Sequence, residues 1–66
     1  MPLKYWEIIA ERLGQRGYNW GYCSTVDNQG RAIYIADANR GDGKRFIVAS
    51  DQLLTAFLEL EHLVKS

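Results

Sequence analysis

The residue types that most often do chemistry are scarce in this 66-residue chain, which has one cysteine and one histidine. A cysteine nucleophile needs a base within hydrogen-bonding distance. The residues around Cys23 alternate as in a β-strand, whereas His62 lies on the polar side of an amphipathic segment. Nothing in the sequence brings these two side chains together, and they are too few for a zinc site. We therefore predict no catalytic residue, no metal, no cofactor and no enzymatic activity.

An acidic, glycine-rich stretch near position 40 loosely resembles a calcium-binding loop. Asp37, Asn39 and Asp42 would supply oxygen ligands along a tight turn. The spacing fails, because Gly41 occupies the fifth position of such a loop and no glutamate follows at the twelfth. The glycines also lead into a strand instead of the helix N-terminus that a phosphate loop needs. The stretch therefore predicts a hairpin turn and no metal site.

Four cationic residues near the predicted turns are candidates for contact with nucleic-acid phosphates. They are Arg31, Arg40, Lys44 and Arg45. The chain as a whole has eight basic and eight acidic residues and a formal net charge of zero, so no overall field attracts nucleic acid. Most aromatic residues fall on apolar stripes, where bases cannot stack on them. RNA or DNA binding is therefore the alternative prediction, and protein contact is the main one.

Five segments must position these residues, and apolar periodicity locates them. Helices are predicted from Leu3 to about Gln15 and, after a cap at Ser50 or Asp51, to about Val64; strands are predicted from Tyr18 to about Val26, Arg31 to about Ala38 and Lys44 to Ala49. Turn residues separate the strands at 27–30 and 39–43. The chain is too short for more than one domain. We predict a single α+β domain, residues 1–66, in two layers: a three-stranded antiparallel meander with both helices on one face, in the order αβββα.

Alternation along the strands divides the predicted sheet into two faces. The bulky set is assigned to the core beneath the helices: Trp20, Tyr22, Ile33, Ile35, Phe46 and Val48. The opposite face then carries a small, flat and rather apolar set that includes Cys23, Ala32, Tyr34, Ala36 and Ile47. An uncovered apolar face is typical of a contact surface. We therefore predict self-association as a symmetric homodimer, or contact with another protein, through this face or through an edge of the sheet.

The beginning of the chain has no uninterrupted apolar region and no cleavage site of small residues, which argues against a signal peptide. No stretch has the roughly 18 apolar residues that a membrane span requires. A single thiol is also typical of a reducing compartment. These features predict a cytoplasmic protein without a membrane partner.

Three sequence stretches make the chain similar to a set of short, uncharacterised bacterial proteins. They are Leu3-Lys4-Tyr5-Trp6-Glu7-Ile8-Ile9-Ala10, Trp20-Gly21 and Ile35-Ala36-Asp37-Ala38. The similarity covers most of the chain. It implies a small bacterial protein and implies nothing about mechanism.

The order αβββα also resembles the double-stranded-RNA-binding domain and the small ribonuclease toxins of the same topology. The RNA-binding family has a lysine cluster at the start of its last helix, where this chain has Ser50-Asp51-Gln52. The toxins carry a histidine in the sheet, and the predicted sheet has none. The resemblance is therefore one of layout, and it transfers no functional residue.

Overall fold

The computed structural model describes residues 4–65 and has the predicted order of elements. These are α1 (Tyr5–Gln15), β1 (Asn19–Val26), β2 (Ala32–Asn39), β3 (Arg45–Ser50) and α2 (Leu53–Lys65). The strands form one antiparallel sheet in the order β1-β2-β3. The helices contact each other and share one buried cluster with the sheet, so both lie on the same face. The predicted two-layer α+β fold is confirmed, and Leu3, the predicted start of the first helix, lies outside the described residues.

Two tight turns with the same backbone join the strands. The closing bonds run from the N–H of Asp27 to the carbonyl of Arg31 (2.9 Å) and from the N–H of Arg40 to the carbonyl of Lys44 (2.8 Å). Within each turn a glycine, Gly30 or Gly43, donates its N–H to the first residue at 3.0 Å. The φ angles of these glycines are +78° and +94°, a conformation that residues with a Cβ rarely adopt. Both predicted turns are therefore confirmed.

The core lies between the two helices and the central strand. Its fully buried members are Ile9, Ala10 and Leu13 of α1, Ala36 and Ala38 of β2, and Ala56, Phe57 and Leu60 of α2. Phe57 is the largest of them and stacks on Trp6 with ring centroids 5.5 Å apart. Burying a side chain of this size stabilises the fold by about 1.5–3 kcal/mol. The aromatic cluster thus joins α1 to α2 above the sheet.

The prediction of which residues of β2 face the core is wrong. Ala36 lies opposite Tyr22 and Val48 in the ladder, and it is fully buried. Its neighbours Ile33 and Ile35 therefore point to the side away from the helices. The physical reason is that β2 is the central strand and packs beneath α2, where small side chains leave room for the helix. The large side chains that fill the core belong to the helices, and those of the edge strands pack around them.

On those edge strands the predicted faces are confirmed. Trp20 packs edge-on against Phe57 with ring centroids 5.7 Å apart, and Tyr22 contacts Trp6 at 5.3 Å. Phe46 and Val48 of β3 pack against the buried cluster from the opposite edge. Because the helices cover the middle of the sheet best, Trp20 is still 40% exposed.

A charged group lies at the contact between the helices. Glu61 of α2 is only 7% exposed, and its Oε2 lies 3.0 Å from the Nε of Arg12 in α1. Glu61 Oε1 also lies 3.8 Å from the Nζ of Lys65, four residues later in α2. Glu61 Oε2 accepts no hydrogen bond within residues 4–65, so its contact with Arg12 is an ion pair without hydrogen-bond geometry. This pair offsets the cost of burying a carboxylate between the helices.

Candidate functional site

The side of the sheet that faces away from the helices is here called the open face. The ladder register assigns to it Gly21, Cys23 and Thr25 of β1, Ile33, Ile35 and Asp37 of β2, and Ile47 and Ala49 of β3, with Asn19, Asn39 and Arg45 at one end. Three of these side chains are isoleucines, and no helix covers them. This combination is unusual for an antiparallel sheet, whose solvated face normally carries polar residues.

The middle of the open face is an apolar row that crosses all three strands. Cys23 lies directly opposite Ile35, and Ile35 lies directly opposite Ala49. Directly opposed residues have Cβ atoms about 4.5–5.5 Å apart, so Ile35 lies beside both Cys23 and Ala49. Cys23 is exposed and Ile47, in the next row, is 56% exposed. The row is therefore accessible to another molecule.

The open face differs in part from the face that the sequence predicts. Cys23 and Ile47 lie on it as predicted, whereas Ala32, Tyr34 and Ala36 lie on the side of the helices. The reason is the reversed assignment of β2. In place of the two alanines and the tyrosine, the open face has Ile33, Ile35 and Asp37. The face therefore carries larger apolar side chains than the sequence predicts, together with one carboxylate.

The sequence contains a signal that could have located these isoleucines. Alanines alternate with larger residues along β2, and Ala36 and Ala38 are both fully buried. A strand that alternates alanine with isoleucine, between two strands with aromatic side chains, fits a central position beneath helices. The prediction instead grouped all the large side chains together.

The outer side of Asn19–Val26, here called the β1 edge, is a second uncovered feature. β1 pairs only with β2, and seven of its eight residues are exposed. Its sequence contains no charged residue and no proline. Its register with β2 is continuous, without a bulge. Natural sheets usually protect an edge strand with a charged residue, a proline or a bulge, and β1 has none of these.

The four predicted phosphate-contacting cations do not lie together. Arg31 belongs to the β1–β2 turn, whereas Arg40, Lys44 and Arg45 belong to the β2–β3 turn at the opposite end of the sheet. Strands of this length separate the two ends by roughly 25 Å. The structure therefore divides the predicted set into one isolated cation and a group of three.

Two of the four cations are already paired with an aspartate of their own turn. Arg31 Nε lies 3.2 Å from Asp27 Oδ2, and Arg40 Nη2 lies 2.6 Å from Asp42 Oδ2. Within the described part of the chain, the side chains of Lys44 and Arg45 have no such ion pair. The charge available to a phosphate at either turn is correspondingly reduced.

The carboxylate of Asp42 holds the β2–β3 turn together. Arg40 donates to its Oδ2 from Nε (3.1 Å) and Nη2 (2.6 Å), and the backbone N–H of Lys44 donates to its Oδ1 (3.2 Å). The guanidinium first, and the backbone N–H second, lower the pKa of Asp42 to about 2. The same hydrogen bond to Asp42 raises the pKa of Arg40. The guanidinium also lies 5.1 Å from the ring centroid of Tyr18, which is a cation–π contact.

The carboxylate of Asp27 holds the β1–β2 turn in a different way. Its Oδ1 accepts the backbone N–H groups of Arg31 (2.9 Å) and Gln29 (2.8 Å). These two bonds, that of Arg31 first, lower the pKa of Asp27. Both carboxylates, of Asp27 and Asp42, thus accept hydrogen bonds from residues of their own turns.

The two side chains considered for nucleophilic chemistry lie on different sides of the molecule. Cys23 is on the open face, and His62 belongs to α2 on the covered side. Among residues 4–65 no group of three or more histidine, cysteine, aspartate or glutamate side chains is placed to hold a metal ion. The features that remain as a candidate site are therefore two surfaces, the open face and the β1 edge.

These features define a class by layout alone: a two-layer αβββα protein whose sheet is covered on one side only. Comparison of the chain with models of protein families, with curated proteins and with solved structures finds no match. In the described part of the chain, neither helix is long and apolar enough to cross a membrane.

Proposed function

We propose that this protein is a non-enzymatic subunit that acts by associating with further copies of itself through the uncovered sheet. The observation that supports this most directly is the row Cys23, Ile35 and Ala49, flanked by Ile33 and Ile47, on a face without a helix. Covering such a surface removes apolar area from water, at about 25 cal/mol for each Å². A cytoplasmic, bacterial setting remains part of the proposal.

The dimensions of the molecule bear on how strong the association is. The Cα positions extend over 37 × 33 × 17 Å, so the protein is a flat slab with one broad side formed by helices and the other by the sheet. Three strands of this length and their side chains present roughly 500 Å². Two copies would then bury about 1,000 Å² in total, which is at the lower limit of specific interfaces. We expect a weak, concentration-dependent dimer.

The charge balance supports a second copy as the partner. The formal net charge is zero, so two copies do not repel each other over long distances. The open face itself has one acidic side chain, Asp37 in the row beside Ile35, and one basic side chain, Arg45 toward one end, so its own charges balance.

Light scattering coupled to size exclusion tests the proposal. The wild-type mass is expected to rise from that of the 7.6 kDa chain toward twice this value as concentration increases through the micromolar range. Lys65→Gln, at the exposed end of α2, is a control that should leave the curve unchanged. A mass that stays at 7.6 kDa at every concentration would contradict self-association.

RNA or DNA binding is the second candidate function, and the group Arg40, Lys44 and Arg45 at one turn favours it. It predicts an increase in the fluorescence anisotropy of a labelled oligonucleotide that weakens steeply with salt. Arg40→Ala combined with Arg45→Ala should then abolish the signal. Self-association predicts no such binding, so the same titration separates the two functions.

A further inference from the structure

The hydrogen-bonding groups of β1 can be assigned to its two sides from the register. The bond from Asp27 N–H to the Arg31 carbonyl marks these residues as a hydrogen-bonded pair. In an antiparallel ladder such pairs alternate with non-hydrogen-bonded pairs. The backbone groups of Asn19, Gly21, Cys23 and Thr25 therefore point to β2, and those of Trp20, Tyr22, Ser24 and Val26 point outward from the β1 edge.

These outward groups are suited to receive another strand. None of the hydrogen bonds outside the ladder and the helices involves them in the described structure. The opposite edge of the sheet is less suited, because β3 has six residues instead of eight and carries Arg45 among its outward residues. An unpaired edge without charge, proline or bulge is a template for strand addition. The chemistry of the site therefore specifies an extended polypeptide as its occupant.

We propose that the β1 edge pairs antiparallel with the β1 edge of a second copy, about a two-fold axis that passes between the two Cys23 residues. The two sheets then form one six-stranded sheet with all four helices on the same side. This inference rests on the proposed self-association, but it places the contact at the β1 edge instead of across the open face, and it specifies the register. A second copy is favoured because an uncharged edge meets itself without repulsion, and because a two-fold axis satisfies both edges at once.

Backbone hydrogen bonding selects this register. With Cys23 on the axis, every outward residue of one β1 lies opposite an outward residue of the other, so all their N–H and carbonyl groups pair. A slip by two residues in one direction leaves Val26 of each copy without a partner. A slip by two residues in the other direction leaves Trp20 of each copy without a partner. A slip by one residue opposes outward groups to groups already bonded to β2.

Side chains favour the same register. It places Trp20 of one copy opposite Val26 of the other, on the side of the helices. These residues are 40% and 66% exposed in the single chain. Aromatic and β-branched side chains are a favourable cross-strand pair. Val26, the most exposed large apolar side chain of residues 4–65, and Tyr22, which is 45% exposed, thus lie at the junction.

Cys23 provides a direct test, because the proposed register makes it a non-hydrogen-bonded pair with itself. Such pairs have Cα atoms about 4.5 Å apart, within the range that a disulfide spans. Diamide should therefore join the two thiols of the wild-type dimer: they lose two protons and two electrons, diamide is reduced to the hydrazine, and one S–S bond forms. A dithiol reductant should return the chain to its single-copy mass in a denaturing gel.

The matched control moves the thiol along the same strand. Thr25→Cys in a Cys23→Ser background keeps an exposed cysteine on the open face of β1. In the proposed register the two new thiols are separated by about 14 Å between Cα atoms, too far for a disulfide. We expect rapid cross-linking of the wild type and at least a tenfold slower reaction of the control. Equal rates would overturn the register.

Amide hydrogen exchange gives a readout that needs no substitution. At low concentration the outward amides of Trp20, Tyr22, Ser24 and Val26 should exchange fast, and raising the concentration should protect them. The amides of Cys23 and Thr25, which bond β2, should be protected at all concentrations. Dimerisation without a change at the outward amides would overturn the inference while leaving self-association intact.

Proline at an outward position tests the edge by substitution. Ser24→Pro removes an N–H that makes no bond within the single sheet, and Arg45→Pro does the same on the β3 edge. We expect Ser24→Pro to weaken dimerisation at least tenfold and Arg45→Pro to leave it within twofold. The opposite result would move the contact to the open face or to β3 and overturn the inference. A wild-type chain that is a monomer at all concentrations would instead overturn the proposed function itself.

Discussion

The two faces of the sheet have opposite arrangements of side-chain size. On the covered face a small residue of β2, Ala36, lies between Tyr22 and Val48. On the open face the central residue is large, and Ile35 lies between Cys23 and Ala49. A small side chain on the central strand, between larger ones on the edge strands, suits a sheet covered by helices. The helices occupy the space above the central strand. On the central strand of such a sheet, large side chains therefore do not identify the buried face, because the small residues face the helices.

The largest expected effect comes from removing the side chain that fills the covered side. Phe57→Ala should reduce the free energy of unfolding by about 3–5 kcal/mol, because it deletes a fully buried ring and leaves a cavity. A chain of this length has about 3–10 kcal/mol in total, so the variant should be largely unfolded. Urea denaturation followed by tryptophan fluorescence measures this.

The matched substitution for Phe57→Ala lies on the open face. Ile47→Ala removes an apolar side chain that is 56% exposed, and it should cost less than about 1 kcal/mol in the single chain. Equal losses of stability for the two variants would mean that the open face is packed against something even in the monomer.

The second prediction adds volume instead of removing it. Ala36→Leu should destabilise the fold by about 1–3 kcal/mol, because the side chain has no room between the sheet and the helices. Ala49→Leu makes the same change at an exposed position of the open face and should stay within about 0.5 kcal/mol of the wild type. Thermal unfolding measures both. A harmless Ala36→Leu would restore the face assignment of β2 that the sequence analysis predicts.

The face assignment of β2 separates the features that the sequence predicts from those that it does not. The five elements, both turns and the faces of β1 and β3 follow from local periodicity and turn chemistry, which depend on near neighbours in the chain. The faces of β2 do not, because both of its alternating sets are apolar: Ile33 and Ile35 on one side, Ala36 and Ala38 on the other. Only the packing of α2 against β2 decides between them, and that is a property of tertiary structure.

The candidate site could be predicted only in part for the same reason. Cys23 and Ile47 were placed correctly because the aromatic residues of their strands, Trp20, Tyr22 and Phe46, mark the covered side. The cations of the two turns were grouped although the meander separates Arg31 from Arg40, since sequence proximity to a turn does not specify the end of the sheet. The inter-helix pair of Arg12 with Glu61 was missed because residues far apart in the chain form it.

A smaller effect is expected from a polar substitution at the centre of the open face. Ile35→Thr keeps a β-branched side chain, so the single chain should lose about 1 kcal/mol or less. Ala38→Thr introduces the same side chain into the fully buried row and should cost about 1–3 kcal/mol, through overpacking and an unpaired hydroxyl. Urea denaturation at a concentration where the protein is monomeric measures both. A larger loss for Ile35→Thr than for Ala38→Thr would contradict the arrangement of the faces.

The smallest expected effect is on the pH dependence of stability, through the charged residues of the two turns at the ends of the strands. The folded-state pKa of Asp42 is about 2, below its value in the unfolded chain, and that of Asp27 is also lowered. A depressed carboxylate pKa contributes stability that is present above the unfolded pKa of about 3.9 and is lost as pH falls toward the folded value. Stability should therefore decline between about pH 5 and pH 2, and Asp42→Asn should make this decline shallower.

The control for the pH experiment is Gly41→Ala, which changes the same turn but keeps the Asp42 carboxylate. A Cβ at Gly41 meets nothing within 4 Å, and its φ is not positive, so the turn should tolerate alanine. Its acid dependence should match that of the wild type. An unchanged slope in Asp42→Asn would mean that the carboxylate makes the same contacts in the unfolded chain, since the slope depends on the difference in proton binding between the two states.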